Sequence, residues 1–169
     1  IDEITIDTPS GDLKSVVRRP RHESHSWTLK YPVETVDDLR KLASVPWELD
    51  PPDVERAREN YRQAHAAHGD RVMLRTFLSS PVVCISGSMP LELFLELSLT
   101  ERAWFHELTD EITRRQLAIL ETVFDGQEIE TTVTFGGSEQ CTPPMMAPGA
   151  FDEYVVPYEG RLIEFFKQR

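Results

Sequence analysis

The chain has 169 residues, 40% of them hydrophobic and 28% charged, which is enough for one domain with a real core. Its 18 Lys and Arg against 29 Asp and Glu give a net charge of −11, a field that repels nucleic-acid backbones and anionic membranes. No apolar run reaches the roughly 20 residues of a membrane helix, and no signal-peptide pattern opens the chain. Two cysteines, Cys84 and Cys141, lie far apart and outside any CxxC, so a disulfide framework is excluded and a reducing, cytoplasmic setting is expected.

In chain order, Glu3 to Thr8 alternates with period two, and Thr8-Pro9-Ser10-Gly11-Asp12 is a turn. Leu13 to Val17 and Ser26 to Lys30 follow as strands, with Trp27 and Leu29 on one face, so residues 1–34 predict a β-hairpin or small meander. Thr35-Val36-Asp37-Asp38 is close to a capping box and opens a short helix whose inner face is Leu39 and Leu42. Asp50-Pro51-Pro52-Asp53 starts a longer helix striped by Val54, Ala57, Tyr61, Ala64 and His68, and Gly69 ends it. His65 and His68 share a helical face and read as a surface pair rather than metal ligands.

Met73 to Leu78 is short, apolar and bounded by turn residues, which predicts a buried strand. A small-residue loop and a helix through Leu91 to Leu97 come next. Thr100 then caps a helix with an inner stripe of Phe105, Leu108, Ile112, Ile119 and Val123. Ile129 to Phe135 is the second strand, and a last helix carries Phe151, Val155, Leu162, Phe165 and Phe166. Strands separated by helices imply parallel pairing, with ligands at the C-terminal strand ends. Two parallel strands and a helix ending on Phe165-Phe166 predict an incomplete α/β unit whose last aromatic pair lacks a packing partner.

The loops after the two strands therefore carry the candidate site. Gly136-Gly137 permits a tight turn, and Ser138, Glu139 and Gln140 follow it. Glu139 could accept a proton or orient a ligand; alternatively it caps the following turn or pairs with an arginine. Arg75, inside an apolar run, reads as a buried cation that binds a substrate carboxylate or forms a structural ion pair with Glu139 or Asp70. Ser79, Ser80 and Ser86 to Ser88 make a small polar loop at the same predicted mouth, or an ordinary strand-helix connection. Cys141 has no cationic neighbour in sequence and reads as a passive small residue; His106 reads as a boundary residue.

Gly136-Gly137-Ser138-Glu139, with Pro143-Pro144-Met145, Pro148, Phe151 and Val156-Pro157-Tyr158 after it, resembles a strand-loop-helix unit of the uroporphyrinogen decarboxylase-like superfamily. That superfamily also holds corrinoid and thiol methyltransferases. Pro32-Val33-Glu34-Thr35 with Asp37-Asp38-Leu39 is similar to its segment of a proline and an acidic helix start, and Thr8-Pro9-Ser10-Gly11 to its TP-x-G turn. The resemblance spans Glu3 to Phe166 and rests on the order of these motifs. It implies a (β/α)₈ TIM barrel, a fold of roughly 250 residues, of which residues 35–169 would be an incomplete segment truncated at its C-terminus.

The implied activity is cofactor-free decarboxylation of tetrapyrrole acetate side chains, with Glu139 catalytic and Arg75, Ser138, Gln140 and Ser80 binding substrate. The alternative is methyl transfer from a small methylated compound to a corrinoid or thiol, with zinc in the parent protein. A third expectation is an inactive fragment that folds only as a homodimer or with a missing half. The arginine-rich motif and catalytic aspartate of the decarboxylases have no counterpart here, nor has the His-x-Cys of the methyltransferases. No nucleic-acid or membrane partner is expected.

Overall fold

The computed structural model describes residues 1–126, 129 and 131–168, apart from the side chain of Asp70. It is a mixed α/β structure, and the chain divides into two compact units, Ile1–Trp47 with Ile85–Phe105, and Glu48–Cys84 with His106–Arg169.

In the first unit, β1 (Asp2–Ile6), β2 (Leu13–Arg18) and β3 (Trp27–Lys30) form the expected antiparallel meander, with Ile6 opposite Leu13 and a bulge between Val16 and Val17. Gly11 turns the first hairpin at φ +110°, and Thr8 Oγ1 donates to its carbonyl at 2.7 Å. Leu13 and Ser15 are the buried side of β2, whereas Trp27 and Leu29 are 58% and 57% exposed. Helix α1 (Val36–Ala43) starts at the predicted box: Asp38 N–H donates to Thr35 Oγ1 at 3.2 Å, and Thr35 Oγ1 donates to Asp38 Oδ2 at 2.9 Å. That bonding and Lys41 hold the Asp38 carboxyl below its ordinary range against the opposing effect of desolvation. Leu39 is buried, Leu42 half-buried. Val33, fully buried, donates its N–H to Ser88 O at 3.1 Å, and Phe94 of α4 (Leu91–Thr100) meets the Phe105 ring edge-on at 5.5 Å.

In the second unit, α2 (Pro51–His68) begins on the double proline, and its C-cap Gly69 has φ +42°. Strand β4 (Arg75–Ser79) lies parallel to β5 (Thr132–Gly136), in register from Arg75 opposite Thr132 to Ser79 opposite Gly136. Helix α3 (Pro81–Ser86) follows β4 at once, and α5 (Arg102–Val123) leads back toward β5. The chain ends through α6 (Ala150–Tyr154) and α7 (Val156–Lys167). One face of the strand pair supplies Leu78 and Phe135 to a core of Leu120, Val123, Phe124, Leu162 and Phe165, which α2 covers with Val54, Ala57 and Tyr61.

Four expectations need correction. β4 starts at Arg75, not Met73, which is 78% exposed. The buried side of α5 runs through Phe105, Thr109, Thr113, Leu120 and Val123, while Ile119 faces outward; threonine tolerates this because Thr113 Oγ1 donates to Thr109 O at 2.7 Å. Phe165 and Phe166 do not lack partners: Phe165 is buried in the core, and Phe166 meets the Phe165 and Phe124 rings edge-on at 5.2 and 6.1 Å. Among the described residues the sheets have three and two strands, and no barrel closes. Glu130, inside the expected second strand, lies outside the described residues, as does Arg169 at the end of the last helix.

Leu162 is fully buried at the centre of this core. Leu162→Ala should cost about 2–5 kcal/mol, read from the urea midpoint, whereas Ile163→Ala on the outer side of α7 should change stability by less than about 1 kcal/mol.

Candidate functional site

The C-terminal end of the β4–β5 pair is built by close backbone approach. Ser80 N–H donates to Gly136 O at 3.0 Å, and Ser80 O accepts from Val83 and Cys84 N–H at 2.9 and 3.2 Å, so the chain turns from β4 directly into α3. The two glycines serve different ends. A Cβ at Gly136 would stand 2.3 Å from Phe77 Cζ, because that ring lies across the strand end. Gly137 adopts φ +91°, and a Cβ there would stand 2.5 Å from Val83 Cγ2. A short 3-10 turn, Ser138–Cys141, then presents the polar residues.

Ser138 Oγ donates to Glu159 Oε1 at 2.6 Å, and Glu159, on α7, is only 8% exposed. A buried carboxylate with a hydroxyl in front of it is a route for moving a proton to and from the mouth. Gln116 of α5 donates from Nε2 to Ser79 O at 2.9 Å and to Cys84 Sγ at 3.7 Å. Gln140 is held by its N–H donating to Gly137 O at 3.1 Å. Cys141 is fully buried, and burial together with the nearby Glu159 charge pushes its thiol up to about 11. Cys84 is exposed, although desolvation also raises its thiol.

The structure brings Ser80, Ser138, Glu139 and Gln140 to this one end and sets Arg75 at the other end of β4. The burial argued for Arg75 does not hold: its alternate position in the strand puts it on the uncovered face, exposed, and it makes no ion pair with Glu139. The Asp70 side chain, weighed as its partner, lies outside the described residues. Glu139 is exposed; its carbonyl accepts from Thr142 N–H at 3.1 Å and Thr142 Oγ1 at 2.6 Å, and its carboxylate has no partner among the described residues.

Sequence reasoning missed Gln116 and Glu159, which reach the mouth from helices distant in the chain, and nothing local to either residue signals this. It also missed a second polar cluster. His106 Nδ1 lies 2.7 Å from Tyr158 Oη, its Nε2 lies 3.2 Å from Glu153 Oε1, and its ring stacks on Tyr154 at 5.0 Å. With the carboxylate accepting from Nε2–H, Nδ1 is left to accept the tyrosine hydroxyl. Burial, then the charge of Asp110, raise the Tyr158 phenol, and Arg161, ion-paired to Asp110, opposes them. At the N-terminal end of the strands an open groove of about 480 Å³ is lined by His65, Arg71, Met73 and Thr131 among others, but Arg71 is committed to Ala67 O at 2.8 Å.

Among the described residues no three His, Cys, Asp or Glu side chains converge as for a metal ion, and no helix is long and apolar enough to cross a membrane. No family model, curated protein or solved structure matches the chain.

The Cys141 thiol has a raised folded value, so the unfolded chain loses its thiol proton first as pH rises. Stability should therefore fall between pH 9 and about 11, by on the order of 2 kcal/mol, and Cys141→Ala should flatten that limb of a denaturation series. In native protein at neutral pH a thiol reagent should label Cys84 alone, with Cys141 reacting only after unfolding.

Proposed function

We propose that this chain is part of a (β/α) barrel enzyme of the uroporphyrinogen decarboxylase-like superfamily, and that the β4–β5 mouth belongs to its substrate pocket. The observation that carries the reading is the one-sided covering of a parallel strand pair. Leu78 and Phe135 pack into the helical core, while Arg75, Phe77, Thr132 and Thr134 lie on the opposite face, where Phe77 is 58% exposed. Parallel sheets are nearly always covered on both faces, and in a closed barrel that second face is the lumen. The Gly-Gly-Ser-Glu turn then stands at the C-terminal rim, where barrel enzymes place their chemistry.

Decarboxylation of a pyrrole acetate needs a proton placed on the ring α carbon next to the one that bears the side chain, so that the side-chain carbon stays conjugated with the ring nitrogen. The bond to the carboxylate then breaks, its electron pair flows into the protonated pyrrole, and carbon dioxide leaves. A second proton converts the methylene to methyl, and loss of the ring proton restores the aromatic pyrrole. The groups this chain offers at that rim are the exposed Glu139 carboxylate and the Ser138–Glu159 pair as acid and base, whereas Arg75 shares the lumen face but stands at the opposite end of β4. The zinc-dependent reading has less support. Cys141 is buried with a raised thiol, and the described residues gather no ligand set around either cysteine.

The test uses protein made from the complete gene, incubated anaerobically with uroporphyrinogen, its products oxidised and separated by mass. Stepwise loss of carboxyl groups is expected, with Glu139→Gln lowering turnover by about 10²-fold or more and keeping the same melting temperature. Unaltered porphyrinogen, or one equivalent of zinc in the native mass spectrum together with methyl transfer, would overturn the reading.

A further inference from the structure

The meander of the first unit has two open edges. Strands β1 and β3 each pair only with β2, and among the described residues nothing bonds to the backbone of either from its outer side. Open edges invite a further strand, and proteins commonly guard them with charge. Here the two guards have opposite signs. Residues 1–12, which hold β1, carry four acids and no base, whereas residues 13–30, which hold β3 and the connection leading to it, carry five bases and one acid. Asp2 and Arg19 pair with each other inside the chain at 2.9 Å. That leaves Glu3 and Asp7 at the β1 edge, and Arg18 and Arg21 at the start of β3, with Arg18 directly opposite Trp27. All four are exposed and have no ion-pair partner among the described residues. Both edges also carry exposed apolar side chains, Trp27 and Leu29 on β3 and Ile4 on β1.

Because each is antiparallel to β2, β1 and β3 run in the same direction. A second copy in the same orientation can therefore lay its β1 along β3 and continue the sheet. Its Glu3 then comes to the end that holds Arg18 and Arg21, and its Asp7 to the end that holds Lys30. The other pairings are repelled: two β1 edges set acid on acid, and two β3 edges set base on base. We propose that this sheet is a head-to-tail assembly surface, on which β3 of one copy receives β1 of the next. The contact is heterologous, so it does not stop at a dimer. Strands of five and four residues bury little surface, which makes the association weak and reversible. At about 0.15 M salt, charges beyond roughly 8 Å are screened, so the edge residues, rather than the −11 of the whole chain, set the sign of the interaction. The surface uses no residue of the β4–β5 mouth and is independent of the chemistry proposed there.

The test is sedimentation velocity at about 0.15 M salt, over roughly 10 µM to 1 mM protein. The weight-average mass should climb through that of a dimer without levelling. Arg18→Glu with Arg21→Glu should stay monomeric, and so should Glu3→Lys with Asp7→Lys. An equal mixture of the two double variants should associate again, at least about tenfold more tightly than either alone. The four positions are exposed, so both variants should keep the parent's melting temperature. A mass that levels at the dimer would mean an isologous contact and would overturn the proposal, as would a mixture that behaves like its separate components. A parent chain that stays monomeric throughout would overturn it too. The charges would then be edge guards alone, or, if the parent binds polyglutamate and the arginine variant does not, the basic edge would belong to an acidic partner.

Discussion

The register between Arg75–Ser79 and Thr132–Gly136 is the constraint on which the mouth depends. Side chains alternate along a strand, so a slip of one residue would turn Leu78 and Phe135 out of the helical core and bring Phe77 and Thr134 in. Two strands alone make a weak sheet. This pair is fixed instead by what lies beneath it, because Leu78 and Phe135 pack against Leu120, Phe124, Leu162 and Phe165 and their helices. At the far end, the bond from Ser80 N–H to Gly136 O continues the ladder one step past the strand, so α3 and the Ser138–Cys141 turn start from a common point.

From that point the site is assembled by helices. Gln116 comes from α5 and Glu159 from α7, and the burial of both helices in one core sets where these side chains end. The chain carries a large negative charge, and several of its acids lie in exposed pairs one helical turn apart, such as Asp37–Arg40, Asp53–Arg56 and Glu111–Arg114. Such pairs contribute little each. Glu159 differs in kind: it is buried, and its one short bond is to a hydroxyl that itself remains half open.

What was legible in the sequence is what is local. The Thr35 box, the prolines that open α2, the glycine that closes it and the Thr8–Gly11 turn depend on residues a few positions apart, and each formed where its pattern predicts. The parallel pairing followed from two strands separated by a helix. The failures came where the third dimension decides. An apolar run does not say which of its two faces is covered, so Arg75 read as buried. Phe165-Phe166 read as stranded because the partners, Leu120 and Phe124, lie at and just past the end of α5, far away in the chain. Ser138 was visible as a candidate, but the carboxylate behind it and the amide across from Ser79 were not, because neither has a local signature.

The ring of Phe77 occupies the space that any side chain at position 136 would need. The two positions lie on different strands, yet in evolutionary terms they are a single character. A lineage that acquires even a methyl group at 136 must also shrink or turn the aromatic at 77. One that loses the aromatic at 77 releases 136 from its requirement for glycine. Their exchange should be coupled, a substituent at 136 being accompanied by a smaller or turned side chain at 77.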